Sequence, residues 1–383
     1  MPRFDFDRLI DRTMTSSDKW QKYAGTDILP MWVADTDFQS PPAVIEALNQ
    51  RIGHGVFGYT SAPDSLNRVF IERMARLYDW QLNAEQLIWL PGLVCGLNLA
   101  VRTACDAGQA AITATPIYPP FMSAPVLSER GLIKVPMTRI GDRRLIDFDA
   151  LEAAITAESS LLLFCNPHNP GGSVYRRAEL EQLAELVIRH DLIICSDEVH
   201  CDLILEPDVE HIPIASLNSE IAARTITLMA PSKTWNIAGL GASVAVIENH
   251  NLRNRFARVR KGIVPGVNLL AFTAAEAAYG DSDEWNRQQL DYLRANRRYL
   301  LDEINQLPGL YLAPFEATYL AWIDASALGL ESPQKFFEEA GVGMSDGADF
   351  GNDQFVRLNF GCPRSRLEEA IRRMRAALES LAQ

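Results

Sequence analysis

Several short runs are apolar at almost every position rather than at alternate positions, and polar signatures follow directly on three of them. This arrangement restricts the fold more than any other feature of the chain. The runs are 111–115 (AITAT), 161–165 (LLLFC), 192–195 (LIIC), 225–229 (TITLM) and 242–247 (ASVAVI). Strands buried on both faces have this character, because neither face needs a polar side. Between them, 179–189 (ELEQLAELVIR) sets Leu180, Leu183, Ala184 and Val187 on one helical face. Strand–helix–strand alternation predicts an α/β fold with a mostly parallel sheet flanked by helices.

The last hundred residues change character. Residues 284–307 read as one long helix, with Trp285, Tyr292, Asn296, Tyr299 and Glu303 near one stripe and Pro308-Gly309 as its stop. Residues 319–324 and 355–359 read as strands, and 364–382 as a closing helix. The expected organisation is a large domain at 49–285 and a smaller α+β domain at 286–383, with segment 1–48 assigned to the small domain.

Composition removes whole classes of function. The chain of 383 residues carries 36 Lys plus Arg against 49 Asp plus Glu, a formal net charge of −13. Nucleic-acid binders show a basic excess, so no nucleic-acid partner is expected. No run of 18 or more apolar residues occurs, so no membrane partner is expected. The first residues, MPRFDFDRLIDRT, lack the apolar core of a secretory signal. None of the six cysteines forms a C-x-x-C pair, which argues against zinc-ribbon and thioredoxin-like readings. Reduced, buried thiols in a cytoplasmic protein are expected, and no metal site is read.

The three polar signatures carry the chemistry. After LLLFC comes Asn166-Pro167-His168-Asn169-Pro170-Gly171-Gly172, after LIIC comes Ser196-Asp197-Glu198-Val199-His200, and after TITLM comes Ala230-Pro231-Ser232-Lys233-Thr234. Ligands of open α/β sheets bind outside the carboxyl ends of the strands, so one crevice should hold an Asn, an Asp and a Lys. Each piece alone has a plainer reading: a tight turn, a helix cap, a solvated lysine. Together, an Asp able to pair with a pyridinium nitrogen and a Lys able to form a Schiff base make the pyridoxal-phosphate arrangement. Pro91-Gly92-Leu93-Val94-Cys95-Gly96 opens a helical stretch whose first N–H groups can hold a phosphate, although a plain loop-to-helix turn reads the same way.

The order PGLVCGL, TPIYPPF, NPHNPGG, SDEVHCDL, SKTWNIAGL and RLNFGCP resembles fold-type-I pyridoxal-phosphate enzymes of aminotransferase class I/II. LPMWVADTDFQSPP and HGVFGYT resemble the cystathionine β-lyase, or carbon–sulfur lyase, branch of that superfamily. The resemblance runs from Phe4 to the last helix. It implies pyridoxal 5′-phosphate as cofactor, with Lys233 as its Schiff-base lysine and Asp197 as the partner of the ring nitrogen. It implies that Asn169 bonds the phenolic oxygen and that His200 stands where many aminotransferases have a tyrosine with the same contact. Tyr118 matches the aromatic residue stacked on the ring. Leu93 and Val94 match the phosphate-binding amides, and Ser232 a phosphate hydroxyl. Arg357 matches the arginine that forks the substrate α-carboxylate, with Asn169 and a backbone group at Ala34 beside it. Tyr59 matches a tyrosine that reaches the phosphate from the neighbouring subunit, which implies a homodimer with shared active sites.

Without the resemblance, Tyr118 and Tyr59 read first as core aromatics. Arg357 lies within a strand pattern, so it either faces solvent or pairs with an anion. The chain departs from the family pattern at two positions. Ala230 stands where the usual S-x-S-K has its first serine, and Gly241 where aspartate aminotransferases carry an arginine. The implied reaction is β-elimination on cysteine thioethers: L-cystathionine and water give homocysteine, pyruvate and ammonia, with other cysteine S-conjugates also accepted. The rivals are an aminotransferase using the same residues and a non-catalytic binding protein that kept the fold. A dinucleotide-dependent dehydrogenase lacks its G-x-G-x-x-G.

Overall fold

The computed structural model describes residues 3–381. Its centre is an eight-stranded sheet, numbered here in chain order: β1 (Leu87–Leu90), β2 (Ala110–Thr115), β3 (Gly131–Ile140), β4 (Arg143–Ile146), β5 (Ser159–Cys165), β6 (Ile193–Asp197), β7 (Thr225–Met229) and β8 (Ser243–Val246). The spatial order is β1-β8-β7-β6-β5-β2-β3-β4. Neighbours from β7 through β3 are parallel, while β8 runs antiparallel to both β1 and β7, and β4 antiparallel to β3. Both faces of the sheet are covered. Leu161, Leu163 and Cys165 of β5 join one core cluster with Leu97 and Phe256, while Leu162 and Phe164 join another with Leu180, Leu183 and Val187. That two-sided burial explains why these strands are apolar at consecutive positions.

A four-stranded antiparallel sheet forms the second layer, from β9 (Tyr311–Leu312), β10 (Leu320–Asp324), β11 (Ser345–Asp346) and β12 (Phe355–Asn359), in the order β9-β10-β12-β11. The long helix Asp283–Ile304 and the last helix Arg364–Leu381 pack with it. Leu29–Pro30 pairs in parallel with Val342–Gly343, which ties the N-terminal region to this layer.

From that strand the chain crosses to the central sheet as segment 32–38, which has no helical or strand hydrogen bonding. Its anchor is Asp37. The Asp37 carboxylate is 1 % exposed, with Arg12 Nη1 at 2.8 Å, Arg366 Nη1 at 3.0 Å and Lys19 Nζ at 3.2 Å. Lys19 is fully buried as well. Burial alone would raise the Asp37 pKa, but Lys19, Arg366 and Arg12 outweigh it and hold the carboxyl below its usual range. Removing one member of such a cluster strands the others in the interior. Asp37→Asn should therefore destabilise the protein by about 3–5 kcal/mol, measured by urea unfolding at pH 7. Because the folded-state pKa is depressed, the Asp37 contribution is complete above the unfolded carboxyl pKa and is lost as pH falls through the folded value. The difference between wild type and variant should accordingly shrink in acid.

Candidate active site

The carboxyl ends of β5, β6 and β7 open into a cavity of ≈ 680 Å³. Its lining includes Ala34, Leu93, Val94, Tyr118, Asn169, Asp197, His200, Ser232, Lys233 and Arg357. The sequence expectation that one crevice would gather an Asn, an Asp and a Lys from three strand ends matches this geometry. Tyr59 does not line the cavity. It is fully exposed in segment 55–63, which is neither helix nor strand, with Val56 and Phe57 also exposed.

Lys233 lies four residues past the end of β7. Its Nζ donates to the Ala34 carbonyl at 2.8 Å. Burial, then the nearby positive charge of Arg357, bring its pKa down to about 8. Asp197 ends β6 and is 3 % exposed. Its carboxylate accepts from the Val199 N–H at 3.1 Å, and burial pushes its pKa up to about 7. A carboxyl buried with so little compensation favours a cationic partner. His200 is held neutral, its pKa driven down to about 3 by burial and then by Lys233 and Arg357. The His200 Nδ1 is buried without a hydrogen-bond partner.

Arg357 comes from β12 across the cavity. Nη1 donates to Asn169 Oδ1 at 3.0 Å, and Nη2 donates to the Trp32 carbonyl at 2.9 Å and to Ser345 Oγ at 3.2 Å. The guanidinium carbon lies 4.6 Å from the centre of the Phe350 ring. All these partners are neutral, and burial lowers the Arg357 pKa to about 10. The site therefore holds a buried, forked cation with no carboxylate in salt-bridge contact, Asp349 acting on it only from farther off, the arrangement that recognises a carboxylate. Of the two readings open for a strand arginine, the solvent-facing one is excluded, since Arg357 is 4 % exposed.

The opposite end of the cavity is built from the start of the helix Leu93–Ala104. Gly92 precedes it, and no side chain caps the helix. The N–H groups of the first turn have no intrahelical partner, and the helix dipole favours an anion there. Ser232 lines the same cavity, and Arg260 is near enough to act electrostatically on Cys95 in the first turn of the helix. Gly241, at φ +72°, closes against the loop: a Cβ there would lie 2.6 Å from the Pro91 carbonyl oxygen.

Sequence reading missed several residues at this site. Ser345 and Phe350 reach it from a short strand and a single helical turn with no motif of their own, and Trp32, although inside the motif LPMWVADTDFQSPP, carried no assigned role. Tyr319, whose hydroxyl donates to the Ala34 carbonyl at 3.1 Å, is fully buried beneath Lys233. Its only signal was a place at the start of a predicted strand.

Comparison with known proteins follows the same lines. The model of the family "Aminotransferase class I and II" matches residues 26–374. The chain is 36 % identical to cystathionine beta-lyase PatB of Bacillus subtilis (strain 168), covering 98 % of this chain and 100 % of that protein. Among solved structures it is similar to the crystal structure of OvoB, with a TM-score of 0.97 and 54 % identity over 98 % of this chain and 100 % of that one. It is also similar to cystalysin from Treponema denticola, whose structure contains pyridoxal 5′-phosphate, with a TM-score of 0.95 and 32 % identity over 99 % and 100 % of the two chains.

The depressed pKa of Lys233 makes a stability prediction. In ligand-free protein the folded state binds a proton at Lys233 less readily than the unfolded chain. Between about pH 8 and the ordinary lysine value of 10.5, the unfolded state therefore carries more protons, and stability rises with pH. Lys233→Met should remove that increment. Urea unfolding of both proteins at pH 8 and pH 10 should show a smaller alkaline gain, or a larger alkaline loss, in the variant.

Proposed function

The chain belongs to the aminotransferase class I and II family, and from that membership we propose that it is a cytoplasmic, pyridoxal 5′-phosphate-dependent carbon–sulfur lyase. Its reaction is β-elimination on cysteine thioethers: L-cystathionine and water give homocysteine, pyruvate and ammonia. The observation that carries this reading is the sharing of one cavity by a lysine amine of lowered pKa, a buried carboxyl without a cationic partner and a buried arginine without an anion. The relative named cystathionine beta-lyase supports the lyase over the aminotransferase. Among the described residues, no helix is long and apolar enough to cross a membrane.

The residues present fit the cofactor. Lys233 would hold it covalently, and Asp197 would meet the protonated ring nitrogen. Asn169 and His200 would hold the phenolic oxygen, with Tyr118 against the ring. The N–H groups of Leu93 and Val94 and the Ser232 hydroxyl would take the phosphate. When bound, the cofactor supplies an electron sink for the pair left on the substrate Cα. The protein then has four tasks. Arg357 and Asn169 fix the α-carboxylate, which sets the Cα–H bond beside Lys233 Nζ. With a pKa near 8, Nζ has a usable neutral fraction at neutral pH and takes the Cα proton. The Asp197 carboxylate, once paired, keeps the ring nitrogen protonated. Apolar walls, among them Phe350, exclude water while charge develops.

We also propose a homodimer in which Tyr59 completes the partner's phosphate site. Its full exposure, beside exposed Val56 and Phe57, supports a covered position in an assembly. Gly241, where aspartate aminotransferases carry an arginine, supports the use of a donor from outside the subunit.

Product analysis tests the reaction. Incubation with L-cystathionine should release pyruvate and a free thiol with no added keto acid. A keto acid formed only in the presence of an amino acceptor would mean an aminotransferase. Lys233→Ala should lower the elimination rate by at least about a thousandfold while leaving the circular dichroism unchanged. The shared site has its own test. Lys233→Ala and Tyr59→Phe subunits, mixed and allowed to exchange, should recover activity, because one site of each mixed dimer then has both native residues. A verified mixed dimer without recovery refutes the exchange.

A further inference from the structure

Three cations line the cavity among the described residues: Lys233, Arg357 and Lys22. The first two have roles above, and Lys22 has none. It sits at the mouth, with its side chain 40 % exposed. Resting on the lyase reading, we propose that Lys22 binds the carboxylate of the distal, leaving half of the substrate, which makes the enzyme selective for thioethers whose departing thiol is itself an amino acid.

Lys22 is held in place before any ligand arrives. Its Nζ lies 4.8 Å from the Tyr23 ring centre, 5.1 Å from the Trp32 ring centre and 3.2 Å from Glu338 Oε2. Two aromatic faces and one ion pair remove much of the freedom that a surface lysine would lose on binding. Glu338 engages only one of the Lys22 donors, through an oxygen that is itself shared. The same Oε2 also accepts from the Tyr23 hydroxyl at 2.5 Å and from Gln334 Nε2 at 2.7 Å. An ammonium has three donors, and one of them goes to Glu338. The remainder is free for an anion at the mouth.

Trp32 links this position to the catalytic interior. Its backbone carbonyl accepts from Arg357, and its ring borders Lys22. A substrate with a carboxylate at each end can thus be gripped on both sides of one residue. The cavity also carries Asp346 and Asp349, which supply the opposite charge. A wall with both signs suits a zwitterionic amino-acid end better than a purely anionic or purely apolar group.

The test uses holoenzyme and two substrates. L-Cystathionine has a distal carboxylate, and S-ethyl-L-cysteine has no distal charge. Lys22→Met keeps the apolar stem on the rings and removes the charge. It should raise KM for L-cystathionine about tenfold, with kcat within about twofold, and leave kcat/KM for S-ethyl-L-cysteine unchanged. Lys22→Arg should restore most of the loss. An equal loss on both substrates, or no loss on L-cystathionine, overturns the assignment while leaving the lyase reading intact. If wild-type enzyme releases pyruvate from neither substrate, the lyase reading itself fails. The Lys22 contact is then judged by dissociation constants, read from the visible absorbance of the holoenzyme. A tenfold weakening confined to L-cystathionine still supports it, and its absence still overturns it.

Discussion

Asp37 is surrounded by cations from distant parts of the chain: Arg12 and Lys19 from the N-terminal region and Arg366 from the final helix. What they fix together is segment 32–38. Irregular backbone inside a protein must still find hydrogen-bond partners, and here those partners are the working side chains. The Trp32 carbonyl accepts from Arg357, and the Ala34 carbonyl from Lys233 and Tyr319. Asn359 Nδ2 donates to the carbonyls of Val33 and Asp35, and Asn236 Nδ2 to those of Thr36 and Phe38. The backbone that needs donors and the cations that need orientation solve each other's problem. Geometry at the reacting centre therefore depends on an ion cluster outside the cavity.

The two charged groups inside are stabilised differently. Arg357 is surrounded by neutral acceptors and an aromatic face, and Asp197 by one backbone N–H. Dipoles orient these groups without cancelling their charge. Had a protein carboxylate taken both arms of the buried Arg357 fork, a substrate carboxylate would have to displace it from the same donors, and little net attraction would remain. The present arrangement leaves Arg357 short of an anion and Asp197 short of a cation at separate points of one cavity. A ligand assembly with a carboxylate at one point and a protonated ring at the other relieves both. Ligand binding should consequently stabilise the fold, since it acts on the native state alone.

Much of this was legible in the sequence because strands buried on both faces have an unmistakable pattern. The run 225–229 matches β7, and 355–359 matches β12, residue for residue. The three motifs sit where they were expected because a parallel strand delivers its next residues to the same edge of the sheet. The run 242–247 shows the limit: it forms β8, but antiparallel to both neighbours, and composition does not encode strand direction. The hairpin of β3 and β4 escaped notice altogether. Lys134, Pro136 and Arg139 interrupt its apolar pattern, and its half-exposed position at the sheet edge tolerates them. Ser345 and Tyr319 were illegible for another reason, and Trp32 stood in a family motif without a role. Their place at the site comes from tertiary contacts across elements, Ser345 with Trp32 and Arg357 and Tyr319 with Ala34, and nothing local marks such contacts.

Gly241 explains one departure from the family pattern in physical terms. An arginine at this position would bring cationic charge to the phosphate end, but here the backbone is left-handed and the Pro91 carbonyl oxygen occupies the space of a side chain. No residue with a Cβ fits without moving the loop that leads into the helix Leu93–Ala104. The same close approach holds Gly92 and the uncapped first turn against the cavity. At position 241 charge is thus exchanged for backbone proximity: N–H groups and a helix dipole stand where an arginine side chain from 241 would have reached. Partial charges hold an anion less tightly than a full ion pair does. The phosphate end is then the part of the site with most to gain from a donor carried by a second subunit, and exposed Tyr59 is the side chain that the resemblance assigns to that role.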